Sequence, residues 1–290
     1  MSNSDQSQRF LFEQTQVRGQ LVGLHQAWQE VLSKHNYPEP VQNLLGQFMA
    51  ASVLLSSTLK FEGSLILQAA GNGQVRSLMA ECRNKTELRA IATYNDDFSA
   101  QGKILGEGQL AITVDPDKGQ RYQGIVVLND GQSLAKVLED YFHKSDQIKT
   151  RIWLAADQQR AAGFMVQAMP ISHDTSSLEN HDDDLWDRVN ILSDTLTDQE
   201  LLELPNDRLL TRLFHEEEVR LYDPDDLAFH CTCSRERSGN AIRHLGEEDA
   251  LALLAEQGVV ATDCQFCHAR YAFNEEEIKA LFAAAKQSKH

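Results

Sequence analysis

Four of the five cysteines fall into two tight pairs late in the chain: Cys231/Cys233 in HCTCSRERSGNAIR and Cys264/Cys267 in DCQFCHARYAF. The pattern is C-x-C, thirty residues, C-x-x-C. A C-x-x-C turn supplies one natural chelate. A C-x-C segment supplies another, because side chains two apart on an extended chain share a face. Four thiolates complete the tetrahedral shell that zinc prefers and leave no position for a substrate, so the expected site is structural rather than catalytic. This feature also limits the fold around it. A segment of roughly 60 residues buries too little apolar surface to be secure alone. Structural zinc contributes about 10–16 kcal/mol of apparent binding free energy, which becomes folding free energy. The last segment, from about Asp226, is therefore expected to fold with zinc and to be largely unfolded without it.

The same thiolates are oxidisable. Cysteines this close in sequence can pair with near neighbours, and oxidation removes the metal's ligands and the fold they support. This chemistry alone leaves both a redox switch and an inert zinc ribbon open. His230 and His268 flank the pairs, but with four thiolates available a flanking histidine is expected beside the ligands or on the surface. Cys82, alone in MAECRNK, reads as a small packing residue. GNG and GEG lack the rest of a phosphate-loop fingerprint, and no nucleophile-elbow motif occurs. The carboxylate runs Asp182–Asp184 and Glu216–Glu218 read as solvated faces.

Paired cysteines mean different things in different compartments, and the N-terminus bears on that. MSNSDQSQRF has no apolar core of a secretory signal, and no apolar run approaches membrane-spanning length. The expected compartment is the cytoplasm, where thiols stay reduced and paired cysteines point to metal or redox chemistry. The net charge of −16 is unevenly placed: −1 over residues 1–170, −13 over 171–230 and −2 over 231–290. No basic footprint for a phosphate backbone exists, which argues against nucleic acid as a partner.

Periodicity divides the chain. HQAWQEVLSKHNY and PVQNLLGQFMAASVLLSSTLKF are helical in pattern, the second opening at Pro40. Strand-like runs follow: SLILQAAG, QVRSLMAEC, LRAIATY, GQLAITVD and QGIVVLN, with a GNG hairpin turn at Gly71–Gly73. SLAKVLEDYFHKS reads as a helix, and TRIWLAAD with AAGFMVQAMP as a closing strand pair. Clustered strands with short connections predict antiparallel sheets with helices packed beside them.

After Pro170, ISHDTSSLENHDDD reads as an acidic loop or linker. In the next stretch Thr197 and Glu200 have capping-box spacing, and Pro205 divides the pattern into two short helices. This stretch is acidic and apolar at once, so its helices are marginal alone and need a surface to lie against. In the last segment GEEDALALLAEQG reads as a helix ending at Gly258, and Asn274 with Glu277 caps a final helix.

HCTCSRER, DCQFCHARYAF and LLTRLFHEEEVRLYDP, with VRGQLVGL and GFMVQAMP earlier, resemble the redox-regulated thirty-three-kilodalton heat-shock chaperone family over most of the chain. The resemblance implies an α+β protein in three parts. These are an α/β core domain at 1–172 serving client binding and dimerisation, a metastable acidic helical linker at 173–226, and a zinc-binding redox-switch domain at 227–290. It implies one zinc held in the reduced, inactive state by Cys231, Cys233, Cys264 and Cys267. Oxidation together with unfolding conditions then forms disulfides Cys231–Cys233 and Cys264–Cys267, releases zinc and unfolds the linker. The acidic, apolar character of the stretch itself leads us to expect 178–226 as the conditionally disordered part, lying on the α/β domain when zinc is bound. The activated homodimer holds unfolding client proteins without ATP and is not an enzyme. Two other readings stand beside it. A zinc-ribbon nucleic-acid binder has Arg235, Arg237 and Arg243 as its local support. A thiol oxidoreductase needs an exposed, low-pKa thiol at a helix N-terminus, and DCQFCHARYAF continues into strand-like residues instead.

Overall fold

The structure is a computed structural model that describes residues 5–13, 15–60, 62–99, 101–145, 147–169 and 184–287, with side chains described to 283. The expected loop at 171–184 lies outside the described residues except for Asp184. In chain order the elements are β1 (Gln6–Phe12), β2 (Val17–Leu24), α1 (Gln26–Lys34), α2 (Glu39–Ser56), β3 (Gly63–Gly71), β4 (Val75–Arg83), β5 (Glu87–Tyr94), β6 (Gly108–Pro116), β7 (Tyr122–Leu128), α3 (Leu134–Ser145), β8 (Thr150–Ala156) and β9 (Ala161–Ala168). Then come α4 (Leu185–Ser193), α5 (Asp198–Glu203), α6 (Asn206–Phe214), β10 (Val219–Leu221), β11 (Asp225–Asp226), β12 (Ala228–Phe229), α7 (Arg235–Leu245), α8 (Glu247–Gln257), β13 (Val260–Asp263), β14 (Arg270–Phe273) and α9 (Glu275–Gln287). Two compact units result, Met1–His230 and Cys231–His290.

The first unit has two six-stranded sheets. One runs β10-β1-β2-β9-β8, with β11 also on β1; the other runs β12-β5-β4-β3-β6-β7. Every pairing is antiparallel except β12 on β5. Helix α2 packs on strands of both sheets. It is apolar nearly all round, the pattern of a helix buried on every side, and 12 of its residues are buried. Gly46 permits this: a Cβ there would sit 2.6 Å from the Ala156 Cβ. The helical pattern extends to Phe61 in sequence, but α2 stops at Ser56. The Ser57 hydroxyl donates to the Leu54 carbonyl and the Thr58 hydroxyl to the Leu55 carbonyl, closing the last turn. The β1–β2 hairpin, on residues that carry no clear strand signal, becomes the middle of the first sheet.

The acidic, apolar stretch finds its surface here. Leu185, Val189, Leu201, Leu209, Leu210, Leu213 and Phe214 pack against Phe10, Phe12, Val17, Leu21, Phe164 and Val166 of the first sheet. Phe214 meets Phe12 edge-on at 5.0 Å between ring centroids. Polar ties frame the contact: Arg151 to Asp194 at 2.6 Å, Arg160 Nη1 to the Leu202 carbonyl at 3.0 Å, and Asn206 Nδ2 to Gln8 Oε1 at 2.9 Å. Pro205 does separate two helices, and Thr197 with Glu200 does form a capping box. Leu227, Ala228 and Phe229, sequence neighbours of the cysteine segment, belong to the first unit: Leu227 joins its main core, and Ala228–Phe229 pair with β5.

The second unit is small. Its core is Ile242, Ala250, Leu254, Val260, Phe273, Ile278 and Phe282. Helix α8 ends at Gly258, whose φ of 76° suits glycine. Asn274 and Glu277 cap α9 reciprocally, each side chain accepting from the other's backbone N–H. Among the described residues no helix is long and apolar enough to cross a membrane.

Candidate metal centre

Two local structures bring the cysteines together. Cys231–Cys233 lie in irregular backbone just before α7, whose N-cap is Ser234. Arg237 steadies this segment by donating to the Thr232 carbonyl and hydroxyl. Cys264–Cys267 form the turn of the β13–β14 hairpin. The Cys264 N–H donates to the Ala269 carbonyl and the His268 N–H to the Cys264 carbonyl, with His268 at φ 59°. The strand β14 follows this turn directly, as the sequence pattern implies.

The four Sγ atoms lie within 4.8 Å of one another and could hold a metal ion. Cys231 Sγ is 3.6 Å from Cys264 Sγ, and Cys233 Sγ is 3.3 Å from Cys267 Sγ. These separations exceed a disulfide bond of about 2.05 Å. They approach the ~3.8 Å edge of a tetrahedron built on metal–sulfur bonds of about 2.3 Å. The half-buried sulfurs thus fit a four-thiolate metal shell. Neither His230 nor His268 belongs to the cluster. His230 Nδ1 instead lies 3.3 Å from Glu87 Oε2.

The thiols differ in acidity. Burial raises Cys233, but hydrogen bonds with Tyr271 and the neighbouring sulfurs outweigh it and bring the thiol down to about 7. Burial and then hydrogen bonds among the sulfurs push Cys231 up to about 12. Tyr271 was not singled out by the sequence reading. Its Oη lies 3.2 Å from Cys233 Sγ. That hydrogen bond raises the phenol to about 12, so Tyr271 stays protonated and donates to the thiolate. The alternating pattern of RYAF is the only sequence signal for it. Cys82 is fully buried, burial pushes its thiol to about 12, and it packs in the main core as a lone cysteine should.

The three arginines of the nucleic-acid reading are engaged within the unit. Arg235 donates to the Ala272 carbonyl and Glu277, Arg237 to Thr232, and Arg243 to Asn240.

This geometry sits in a chain whose residues 5–274 match the family model described as Hsp33 protein. The chain belongs to the Hsp33 family. It is 49% identical to the 33 kDa chaperonin of Pseudomonas paraeruginosa, covering 98% of this chain and 97% of that one. It is 51% identical to the 33 kDa chaperonin of Ectopseudomonas mendocina, covering 97% and 96%. The fold is similar to the crystal structure of the 33 kDa chaperonin of Thermotoga maritima, with a TM-score of 0.80 at 21% identity over 98% of this chain and 99% of that one. Membership of the Hsp33 family supports a chaperone function.

Proposed function

We propose that this Hsp33 protein is a redox-regulated, ATP-independent holdase of the cytoplasm. In the reduced state Cys231, Cys233, Cys264 and Cys267 hold one zinc ion, and the chaperone is inactive. The ion would supply charge that keeps all four thiols deprotonated and a tether that joins the C-x-C segment to the β13–β14 hairpin. The observation that carries this reading is the four-sulfur cluster within 4.8 Å in a unit whose apolar core has seven buried residues among those described. A unit so small depends on its cross-link, so losing the thiolates means losing the fold.

Each cysteine pair gives two electrons to one peroxide and gains one S–S bond. The proposed pairs are Cys231–Cys233 and Cys264–Cys267. Near neighbours in sequence stay close once the tether is gone, although the 3.6 and 3.3 Å sulfur–sulfur contacts run across the pairs. The stretch 178–226 then unfolds, and its described part from Asp184 leaves the first sheet. Its described part is acidic outside and apolar beneath, so release exposes Leu209, Leu213, Phe214 and their partners on a soluble carrier. Unfolding client proteins bind there, and the oxidised protein forms a homodimer. The protein catalyses no reaction.

The test combines zinc content, free thiols, disulfide mapping and light scattering from a heat-denatured client, reduced and then after peroxide at elevated temperature without ATP. Joint loss of zinc and four thiols with suppressed scattering is expected. Retained zinc with no gain in suppression would make the cluster a passive structural site.

A further inference from the structure

Arg9 of β1 and Arg18 of β2 share one face of the first sheet, since Arg9 pairs with Gln20 and Arg18 with Leu11. Both line a cavity of about 40 Å³ together with Gln20, Ser57, Thr58 and Met165. One water needs ~10–15 Å³ of such space, so the cavity suits a small ion of a few oxygens.

The chain has 43 acids and 27 bases, and several of its arginines pair with carboxylates, whereas others, such as Arg160 and Arg237, donate to neutral acceptors. Arg89 pairs with Glu81, Arg151 with Asp194, Arg188 with Glu217, Arg212 with Glu200 and Arg220 with Glu13. Among the described residues neither Arg9 nor Arg18 has a carboxylate partner. Arg18 donates through Nε and Nη2 to a neutral acceptor, Gln167 Oε1, at 3.3 and 2.9 Å. Arg9 lies over the Tyr222 ring, 4.3 Å from its centroid, a contact that leaves the N–H edge of the guanidinium available. Burial and then the like charge of Arg9 lower the pKa of Arg18.

A duller role would be to neutralise the C-terminal end of α2. That end is already closed. The Val53 carbonyl accepts from the Ser57 N–H, Leu54 from the Ser57 hydroxyl, Leu55 from Thr58, and Ser56 from the Leu59 N–H. Neither arginine donates to them. Two guanidinium groups lining one cavity, with no carboxylate in ion-pair distance among the described residues, favour a planar or tetrahedral oxyanion over any neutral group.

We propose that Arg9 and Arg18, with the Gln20 side chain beside them, form a binding site for a phosphate-type oxyanion, either free phosphate or the terminal group of a phosphate ester. The bound anion cancels the repulsion between the two arginines and braces the β1–β2 hairpin.

The test is a titration of the full-length reduced protein with sodium phosphate and with glycerol phosphate, at ionic strength matched by chloride. It is read by thermal unfolding and by ³¹P line broadening. A saturable rise in Tm is expected, with affinity at least tenfold weaker in Arg9→Gln. Arg9→Gln removes the Tyr222 contact and the repulsion of Arg18 together, so the rise with phosphate is read against the variant's own Tm in chloride. Arg18→Lys keeps the charge, loses the fork and should weaken binding likewise. Tighter binding of the ester assigns a phosphorylated ligand; tighter binding of inorganic phosphate assigns the free ion. General stabilisation by phosphate as an excluded, salting-out ion grows without saturating and is the same in wild type and both variants. That outcome, or equal affinity in wild type and both variants, overturns the site.

Discussion

Around α2, 36 buried residues from both sheets and three helices form one continuous core, whereas the unit from Cys231 onward buries seven apolar residues among those described. Between these extremes lies the layer of α4–α6 on the first sheet, with 15 buried residues shared between the helices and the strands. The three regions teach different lessons about stability. The main core holds because removing apolar surface from water scales with area. The second unit has too little of that area, and its four half-buried sulfurs stand where more apolar contacts would otherwise be needed. The α4–α6 layer has a real apolar interface, but it is built from short helices that gain most of their stability from the sheet beneath them.

The largest expected effect comes from breaking the second unit alone. Stripping the proposed zinc with a chelator, or replacing Cys264 with Ser, should forfeit much of the about 10–16 kcal/mol that a structural zinc supplies. Hydrogen exchange should then become fast across α7–α9 while α2 stays protected. Persistent protection of α7–α9 without metal would mean that seven apolar residues suffice, and the contrast between the units would fail.

Next in size is Phe214→Ala. Phe214 is buried and touches Phe10, Phe12 and Phe164. The truncation should cost about 3–5 kcal/mol at the α6–sheet contact. Limited proteolysis should speed up within residues 184–226 while zinc content stays constant. Unchanged cleavage would show that this layer is held by something other than its apolar face.

Tyr271→Phe sharpens the picture of the cluster. It removes the hydrogen bond to Cys233 Sγ without changing the shape of the hairpin. Metal affinity measured by chelator competition should fall about tenfold to a hundredfold, the usual effect of an outer-shell partner. Full affinity would show that the phenol is a bystander.

The smallest effect is expected from Thr197→Ala. It breaks the capping box of α5 and should cost about 1 kcal/mol. Only α5 amides should open faster, and a change reaching α2 would contradict the separation of layer and core.

Much of this architecture is legible in the chain because it rests on local rules. The four cysteines mark themselves by spacing. Thr197, Glu200, Pro205, Gly258, Asn274 and Glu277 place helix ends, since caps and breakers act within a turn of the backbone. The run 40–61 announces a helix, but not its end at Ser56, because helix and turn compete there through hydroxyls that suit both. Of the β1 and β2 strands only β2, as VRGQLVGL, stands out in the sequence, as a segment similar to a known family; β1 does not. Their places follow from partners about 140 and 210 residues away, β9 for β2 and β10 for β1.

The sequence by itself determined the donor set, the acidic and apolar character of the stretch before it, and the helix boundaries set by caps and prolines. The tertiary structure alone decided which surfaces meet. It put α4–α6 on the Phe10–Phe164 face, brought Asp5 to accept from the His25, Gln26 and Ala27 N–H groups at the start of α1, and set Tyr271 against Cys233. It also placed Arg9 and Arg18 along one cavity. The physical reason is range: caps, breakers and chelate spacing act over a few residues, whereas packing and charge act through space between residues that the chain itself keeps far apart.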